Sequence, residues 1–248
     1  PTAGRIVFAG EDLARVSHKH LKELRRQIQI IFQDPYSSLN PRMTAGQILE
    51  EPFVIHNLGA RKERRAWVEE LLTEVGLTAD VADRYPHEFS GGQRQRLGIA
   101  RALALKPRLI VADEPVSALD VSIQAQILNL LAELQQRHGL TYLFISHDLG
   151  VISQISNRVA VMYVGRLLEM AERSVLAAGR LHPYTEALLA AVPRPTAERT
   201  FNPPALKGEP PSPVNVPPRR PLPPPPPPGP TPPLPGARPP PPGNPPGP

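Results

Sequence analysis

The sequence predicts an α/β protein built on a largely parallel sheet. Two continuous apolar runs, Leu109–Ala112 and Thr141–Ile145, have the length and composition of strands buried on both faces of such a sheet. A long amphipathic segment, Val121–Arg137, separates them, and Gly139 is placed to end it as a helix. Strands that alternate with helices in this way indicate helices packed on the faces of a parallel sheet.

The remaining elements follow from local signals along the chain. Pro107 stops the helix before it from continuing. Asp34–Pro41 is predicted as a loop because Pro, Asp, Asn and Ser favour turns. The other predicted elements are, in chain order, a strand at Arg5–Phe8, a basic helix at Leu13–Arg26, a strand at Gln29–Phe32, helices at Ala45–Glu51, Arg61–Val75 and Gln93–Leu105, and a hairpin of Val159–Tyr163 and Arg166–Met170 around Gly165.

Composition divides the chain in two. Of its 35 prolines only eight precede Pro193, so a Pro-rich, low-complexity tail over residues 193–248 follows a folded part over residues 1–192. The net charge of +5 suits a solvated surface, a phosphate ligand or an anionic membrane surface, and no dense basic block marks a nucleic-acid face. The absence of cysteine excludes disulfides and thiolate metal sites.

Several candidate functional residues follow directly after predicted strands. Asp113 and Glu114 follow an apolar strand, where one carboxylate could hold Mg²⁺ and the other could activate a water. His147 follows another strand and could contact a phosphate, although a lone His is more often structural or merely exposed. Gln33 follows the strand at 29–32 and could reach a metal or a water, or simply be a turn residue.

Two further segments lie at predicted helix starts. Ser90 and Gln93 form the pattern of a capping box, which accounts for both residues without a ligand. It does not account for Gly91 and Gly92, since bare glycines in a first turn cost helix stability but let a phosphate approach free N–H groups. Asp120 precedes the helix from Val121 and could equally be its N-cap.

Taken together, the order and spacing of these motifs resemble the ATP-binding cassette ATPases over Gly4 to about Gly165. The resemblance implies a P-loop NTPase fold with a RecA-like, mostly parallel sheet and a helical subdomain at about residues 42–90. It implies ATP and Mg²⁺ as ligands. The resemblance implies that Asp113 and the Q-loop glutamine Gln33 are Mg²⁺ ligands and that Glu114 is the catalytic base. It implies that Asp120 is the D-loop aspartate and that His147 is the switch histidine. The signature motif would consist of Ser90, Gly91, Gly92 and Gln93.

Three longer stretches narrow the resemblance to the ATPase subunits of oligopeptide and dipeptide importers. They are Phe32–Met43, Ala118–Gln126 and His182–Leu189, and the last belongs to a C-terminal extension from about residue 172. This family implies a peripheral subunit on the cytoplasmic face of the membrane. Its partners would be a second ATPase subunit, transmembrane permease subunits and, indirectly, a solute-binding protein, with no nucleic acid.

The sequence departs from the family at two places. No G-x-x-x-x-G-K-[ST] loop occurs in it, so the strand, loop and helix that would cradle the nucleotide's own phosphates are missing, and truncation before Pro1 is the simplest account. The resemblance also stops near Val216, where a proline run stands in place of the expected extension. This run is either a natural linker or the result of a change of reading frame. A non-catalytic partner cassette and a soluble ATPase outside transport are the alternative functions.

Overall fold

In a computed structural model of the chain, residues 3–177 and 182–191 are described. The Pro-rich tail over residues 193–248 lies outside the described residues. The described part divides into two compact units, one of residues 3–159 with 172–174, the other of residues 160–171 with those from 175 onward. No helix in this part of the chain is both long and apolar enough to cross a membrane.

The centre of the first unit is a three-stranded parallel sheet. Its strand order is β3-β4-β5, and in its first row Ile28 pairs with Leu109, which pairs with Thr141. The predicted parallel α/β architecture is therefore confirmed. The elements of the first unit are β1 (Val7–Phe8), β2 (Glu11–Asp12), α1 (His18–Gln27), β3 (Ile28–Ile31), α2 (Pro35–Ser38), α3 (Ala45–Ile55), α4 (Arg61–Glu74), 3-10 turns at Ala79–Asp83 and Pro86–Glu88, α5 (Gly91–Leu103), β4 (Leu109–Asp113), α6 (Val121–His138), β5 (Thr141–Ile145) and α7 (Leu149–Ile155).

The second unit centres on a hairpin and a helix. The hairpin strands are β6 (Arg158–Tyr163), whose first two residues belong to the first unit, and β7 (Arg166–Glu172). Val164 and Gly165 join them with φ values of 46° and 71°, the left-handed geometry that tight hairpin turns require. Helices α8 (Arg173–Ala177) and α9 (Pro183–Ala191) follow. The hydroxyl of Thr185 on α9 donates to Glu169 on β7 (2.6 Å).

Several predicted elements differ from the structure: β1 begins at Val7 rather than Arg5, and α5 spans Gly91–Leu103 rather than Gln93–Leu105. Three further differences have identifiable reasons. Helix α1 begins at His18 rather than Leu13, because the N–H of Leu13 extends the β1–β2 hairpin by donating to Ile6 (2.8 Å). Within the predicted loop, Asp34 caps the single turn α2 by accepting from the N–H of Tyr36 (2.8 Å). Helix α3 continues past Pro52 to Ile55, where the buried ring of Phe53 packs on Trp67 at 5.0 Å between ring centroids.

The two faces of the parallel sheet differ in burial. Ile31, Ile110 and Ala112 point to one face and are buried in the main core, which also holds Leu97 of α5 and Leu131 of α6. The opposite face is open, since Ile30, Leu143 and Ile145 are 39%, 54% and 45% exposed. The prediction that the strand at Thr141–Ile145 is buried on both faces is therefore wrong: no element covers its second face within the described residues. Such an apolar surface on a sheet is a site of non-specific association.

We expect the 248-residue chain alone to self-associate and to bind a hydrophobic dye, and Leu143→Thr to reduce both effects. Threonine is β-branched, which a strand favours, and it removes apolar surface. Val121→Thr is the matched control, because Val121 is 82% exposed but lies at the start of α6, away from the sheet. Sedimentation velocity and dye fluorescence provide the readouts. A monomeric chain that binds no dye and melts cooperatively would contradict the expectation.

Candidate functional site

The carboxyl ends of the three parallel strands bring three of the predicted residues into contact. Gln33 follows β3, Glu114 follows β4 and His147 follows β5. The amide Nε2 of Gln33 donates to Oε2 of Glu114 at 2.9 Å, and Nδ1 of His147 donates to Oε1 at 3.0 Å. The two oxygens of the Glu114 carboxylate therefore accept from residues that follow the two different strands beside β4.

The charges of Glu114 and His147 stabilise each other. The hydrogen bond from His147 is the main cause that lowers the pKa of Glu114. The charge of His147 and side-chain hydrogen bonds from Ser117 and Gln33 also lower this pKa. The same hydrogen bond, together with the charge of Glu114, raises the pKa of His147. The side chain of His147 is 73% exposed against 22% for Glu114, so the imidazole faces solvent while the carboxylate is partly enclosed.

The backbone at Glu114 is strained. Its φ is +44°, in the left-handed region that side-chain-bearing residues avoid, and Pro115 follows it directly. Such a residue typically costs on the order of 1–3 kcal/mol and persists only where its surroundings hold it. Its N–H donates to the carbonyl of Ile145 (3.0 Å), which ties the residue to the end of β5. Nothing in the sequence signalled this conformation.

Asp113 ends β4 beside Ile145 and, by strand alternation, lies on the same open sheet face as Val111 and Leu143. No group of three or more His, Asp or Glu that could hold a metal occurs within residues 3–177 and 182–191. Mg²⁺ usually takes one or two carboxylates and completes its shell with water and phosphate oxygens. Asp113 fits that limited role, and so does Gln33, because its NH₂ faces Glu114 and leaves the amide oxygen free to bind a cation.

The segment from Ser90 to Gln93 forms the capping box that the sequence allowed. The N–H of Gln93 donates to Oγ of Ser90 (3.3 Å), and the N–H of Ser90 donates to Oε1 of Gln93 (3.0 Å). The helical ladder of α5 starts with the N–H of Arg94 bonded to the carbonyl of Ser90 (2.9 Å). The N–H groups of Gly91 and Gly92 therefore have no partner within the helix and are placed to bind an anion.

Packing gives Gly92 a second role, which sequence reasoning missed. A Cβ at Gly92 would lie 2.7 Å from Cγ2 of Ile123 on α6, closer than real contacts allow, whereas at Gly91 the nearest atom would be Cδ2 of Leu119 at 3.5 Å. The glycine lets α5 and the start of α6 approach each other. Asp120 occupies the N-cap position of α6 without a capping hydrogen bond from its side chain.

Two arginines of α5 hold the segment that follows Gln33. The guanidinium of Arg101 donates to the carbonyl of Ser38 at the end of α2, and burial lowers its pKa. The guanidinium of Arg94 lies 5.3 Å from the ring centroid of Tyr36, a cation–π distance. The helix that begins with Gly91 is thus connected to the loop that carries Gln33, and the sequence analysis did not single out either arginine.

Comparison with protein families shows which family the chain belongs to. A family model described as "ABC transporter" matches residues 1–117, and one described as "Oligopeptide/dipeptide transporter, C-terminal region" matches residues 168–219. A putative peptide import ATP-binding protein of Brucella ovis is 55% identical over 213 residues, covering 86% of the chain and 67% of that protein. The chain belongs to the ATP-binding cassette ATPases.

Other relatives of this cassette are named for peptide transport. The oligopeptide transport ATP-binding protein AppF of Bacillus subtilis is 56% identical, with 86% of the chain and 66% of that protein covered. A probable peptide ABC transporter ATP-binding protein of Sinorhizobium fredii is also 56% identical, with 86% and 60% covered. The chain therefore spans 60–67% of the length of these three relatives.

Solved cassettes share its fold. A dimeric post-hydrolysis state of the ATP-binding cassette MJ0796, bound to ADP and Pi, has a TM-score of 0.62 at 32% identity, covering 70% of this chain and 75% of that one. The cbiO1 protein of Clostridium perfringens, part of the ABC transporter complex cbiONQ, has a TM-score of 0.64 at 29% identity, covering 73% and 70%. These neighbours confirm the predicted fold class.

The Glu114–His147 pair should be complete only within a pH window. Because the pKa of Glu114 is lowered, its contribution is present above the ordinary value of 4.5 and is lost as pH falls through the lowered value. Because the pKa of His147 is raised, its contribution is full below 6.5 and is lost as pH rises through the raised value. We expect Glu114→Gln to return the His147 titration, followed by ¹⁵N-histidine NMR, towards 6.5. Glu133→Gln, an exposed carboxylate on α6, should leave it unchanged.

The packing role of Gly92 predicts opposite effects at two glycines of α5. We expect Gly92→Ala to destabilise the protein by about 1–3 kcal/mol through the clash with Ile123. Gly98→Ala should be neutral or stabilising by up to about 1 kcal/mol, because a Cβ there meets no atom within 4 Å and alanine favours helix. Urea unfolding measures both, and Ile123→Ala should recover part of the loss at Gly92. Equal effects at the two glycines would refute the packing role.

Proposed function

We propose that this cassette is the ATP-binding and ATP-hydrolysing subunit of an importer for oligopeptides or dipeptides. The observation that carries the proposal is the convergence of Gln33 and His147 on the carboxylate of Glu114 at the carboxyl edge of a parallel sheet. The match to the oligopeptide/dipeptide C-terminal region and the printed names of the relatives support the class of solute.

In this proposal Glu114 is the general base. Its lowered pKa keeps it ionised near neutral pH, and a carboxylate has about four acceptor sites, of which Gln33 and His147 occupy two. A water can therefore transfer a proton to Glu114 as its oxygen bonds to the γ-phosphorus and the bond from that phosphorus to the bridging oxygen breaks, so that ADP leaves, while both neighbours keep the carboxylate oriented. His147, exposed and positively charged when protonated, would contact the γ-phosphate. Mg²⁺, held by Asp113 and the amide oxygen of Gln33, would offset charge on the phosphates.

A second cassette would complete the site. The free N–H groups of Gly91 and Gly92, with Ser90 and Gln93 beside them, would bind the nucleotide held by a partner ATPase subunit, and Asp120 would lie at the same junction. The dimeric state of the similar cassette MJ0796 supports this arrangement. The assembly would sit peripherally at the cytoplasmic face of the membrane on transmembrane permease subunits, contacted through Gln33 to Phe89, and a solute-binding protein would deliver the peptide.

One sequence feature favours a second candidate function. Within the 248 residues there is no G-x-x-x-x-G-K-[ST] loop, whereas the segment from Ser90 to Gln93 is complete. A chain of this kind could serve as a non-catalytic partner that supplies only this segment to a competent cassette. It would then show hydrolysis only on mixing with that partner, and Glu114→Gln in this chain would leave the rate unchanged.

We expect Glu114→Gln in the full-length protein, assembled with its permease subunits, to lower ATP turnover by at least about 10²-fold while ATP binding is retained. The amide keeps the shape and a hydrogen-bond acceptor but cannot take a proton. Steady-state phosphate release and a fluorescent ATP analogue measure the two properties. Glu133→Gln is the control carboxylate and should match the wild type. Unchanged turnover in Glu114→Gln would overturn the assignment, and peptide uptake into proteoliposomes tests the solute class.

A further inference from the structure

The turn that follows β4 holds Glu114 from its carbonyl side. The carbonyl of Glu114 accepts two hydrogen bonds from Ser117, one from the backbone N–H (3.2 Å) and one from the hydroxyl Oγ (3.1 Å). Together they close a four-residue turn over Glu114, Pro115, Val116 and Ser117. Val116, 3% exposed, anchors the middle of the turn in the core.

This turn bears on the strained backbone described above. A glutamate at a φ of +44° relaxes to an ordinary conformation unless both of its peptide groups are held. On the amino side the N–H is bonded to Ile145, and on the carboxyl side the carbonyl is bonded to Ser117. The hydrogen bond with Ile145 and one of the two hydrogen bonds with Ser117 use backbone groups, which any residue at those positions could supply. The hydroxyl of Ser117 is the side-chain contribution to this clamp.

We propose that Ser117 is a positioning residue, which holds Glu114 in the left-handed conformation that directs its carboxylate to Gln33 and His147. The inference rests on the proposed function, since it assigns Ser117 to the same site and the same base. Ser117 acts through Glu114 and need not touch nucleotide or water itself.

The surroundings of Ser117 separate this role from a packing role. Its side chain is exposed, so truncation to alanine opens no cavity in the core. Threonine at the same position retains the hydroxyl on Cβ and adds one methyl group to an exposed side chain. Ser122, exposed in the first turn of α6, is a matched serine that lies outside the turn.

The test uses the full-length protein assembled with its permease subunits. We expect Ser117→Ala to lower kcat about three- to tenfold, the range that loss of one hydrogen bond produces, with the KM for ATP unchanged. Ser117→Thr should restore the rate and Ser122→Ala should match the wild type. A loss of thermal stability that accompanied the fall in kcat and persisted in Ser117→Thr would overturn the positioning role.

A double substitution asks whether Ser117 works through Glu114. In a Glu114→Gln background, adding Ser117→Ala should leave the residual rate unchanged, because no base remains to be positioned. A full additional three- to tenfold loss in that background would refute the proposal, as would a wild-type kcat in Ser117→Ala alone. Failure of the proposed function is distinguishable: there the wild-type assembly hydrolyses no ATP, or Glu114→Gln alone has no effect.

Discussion

The register of the three parallel strands is the constraint on which the site depends. Ile31, Ala112 and Phe144 form one paired row across the sheet, and the residues two positions beyond them are Gln33, Glu114 and Ser146. These three positions therefore leave the sheet at the same level. A slip of one residue would turn the buried face of a strand outward, and a slip of two would move Gln33 by roughly 7 Å, out of reach of Glu114. The core that fixes the register thus also sets the geometry of the candidate base.

The closed face of this sheet supplies stability, and the candidate site lies at the carboxyl edge of the sheet. The closed face, with Ile31 and Ile110, joins the helical core and supplies the apolar burial that holds the strands in place. The open face carries the Asp113 position at its carboxyl edge, beside apolar residues that remain in contact with solvent. Asp113 can therefore contact a hydrated ligand outside the core, while its strand is held by packing on the other face.

Much of this arrangement could be predicted from the sequence because its signals are local. Continuous apolar runs predicted where the strands lie, although β5 is buried on one face only, and residues just beyond the carboxyl ends of parallel strands lie at the same edge of the sheet. The Ser90–Gln93 capping box also needs only three residues of separation. The wrongly predicted helix boundaries depend on contacts with residues distant in sequence. Leu13 hydrogen-bonds within the β1–β2 hairpin instead of starting α1, and packing of Phe53 on Trp67 accompanies the continuation of α3 beyond Pro52.

The features that could not be predicted involve contacts between distant segments. The left-handed backbone of Glu114 depends on a carbonyl at Ile145, and the hold of Arg101 on Ser38 spans 63 positions of sequence. Neither of these two hydrogen bonds is signalled by a sequence motif. The polar geometry around Glu114 is a product of the folded state, whereas the identity of the residues that take part in it is visible in the chain.

The close approach of α5 to α6 limits which residues can be substituted at their contact during evolution. Because the space at Gly92 is filled by a methyl group of Ile123, a larger residue at position 92 is compatible with the fold only if residue 123 becomes smaller. The two positions are 31 apart in the chain, yet they are expected to vary together among sequences that keep these helices in place. Residue 92 is in this sense limited by its neighbour on α6 as much as by any ligand at the helix end.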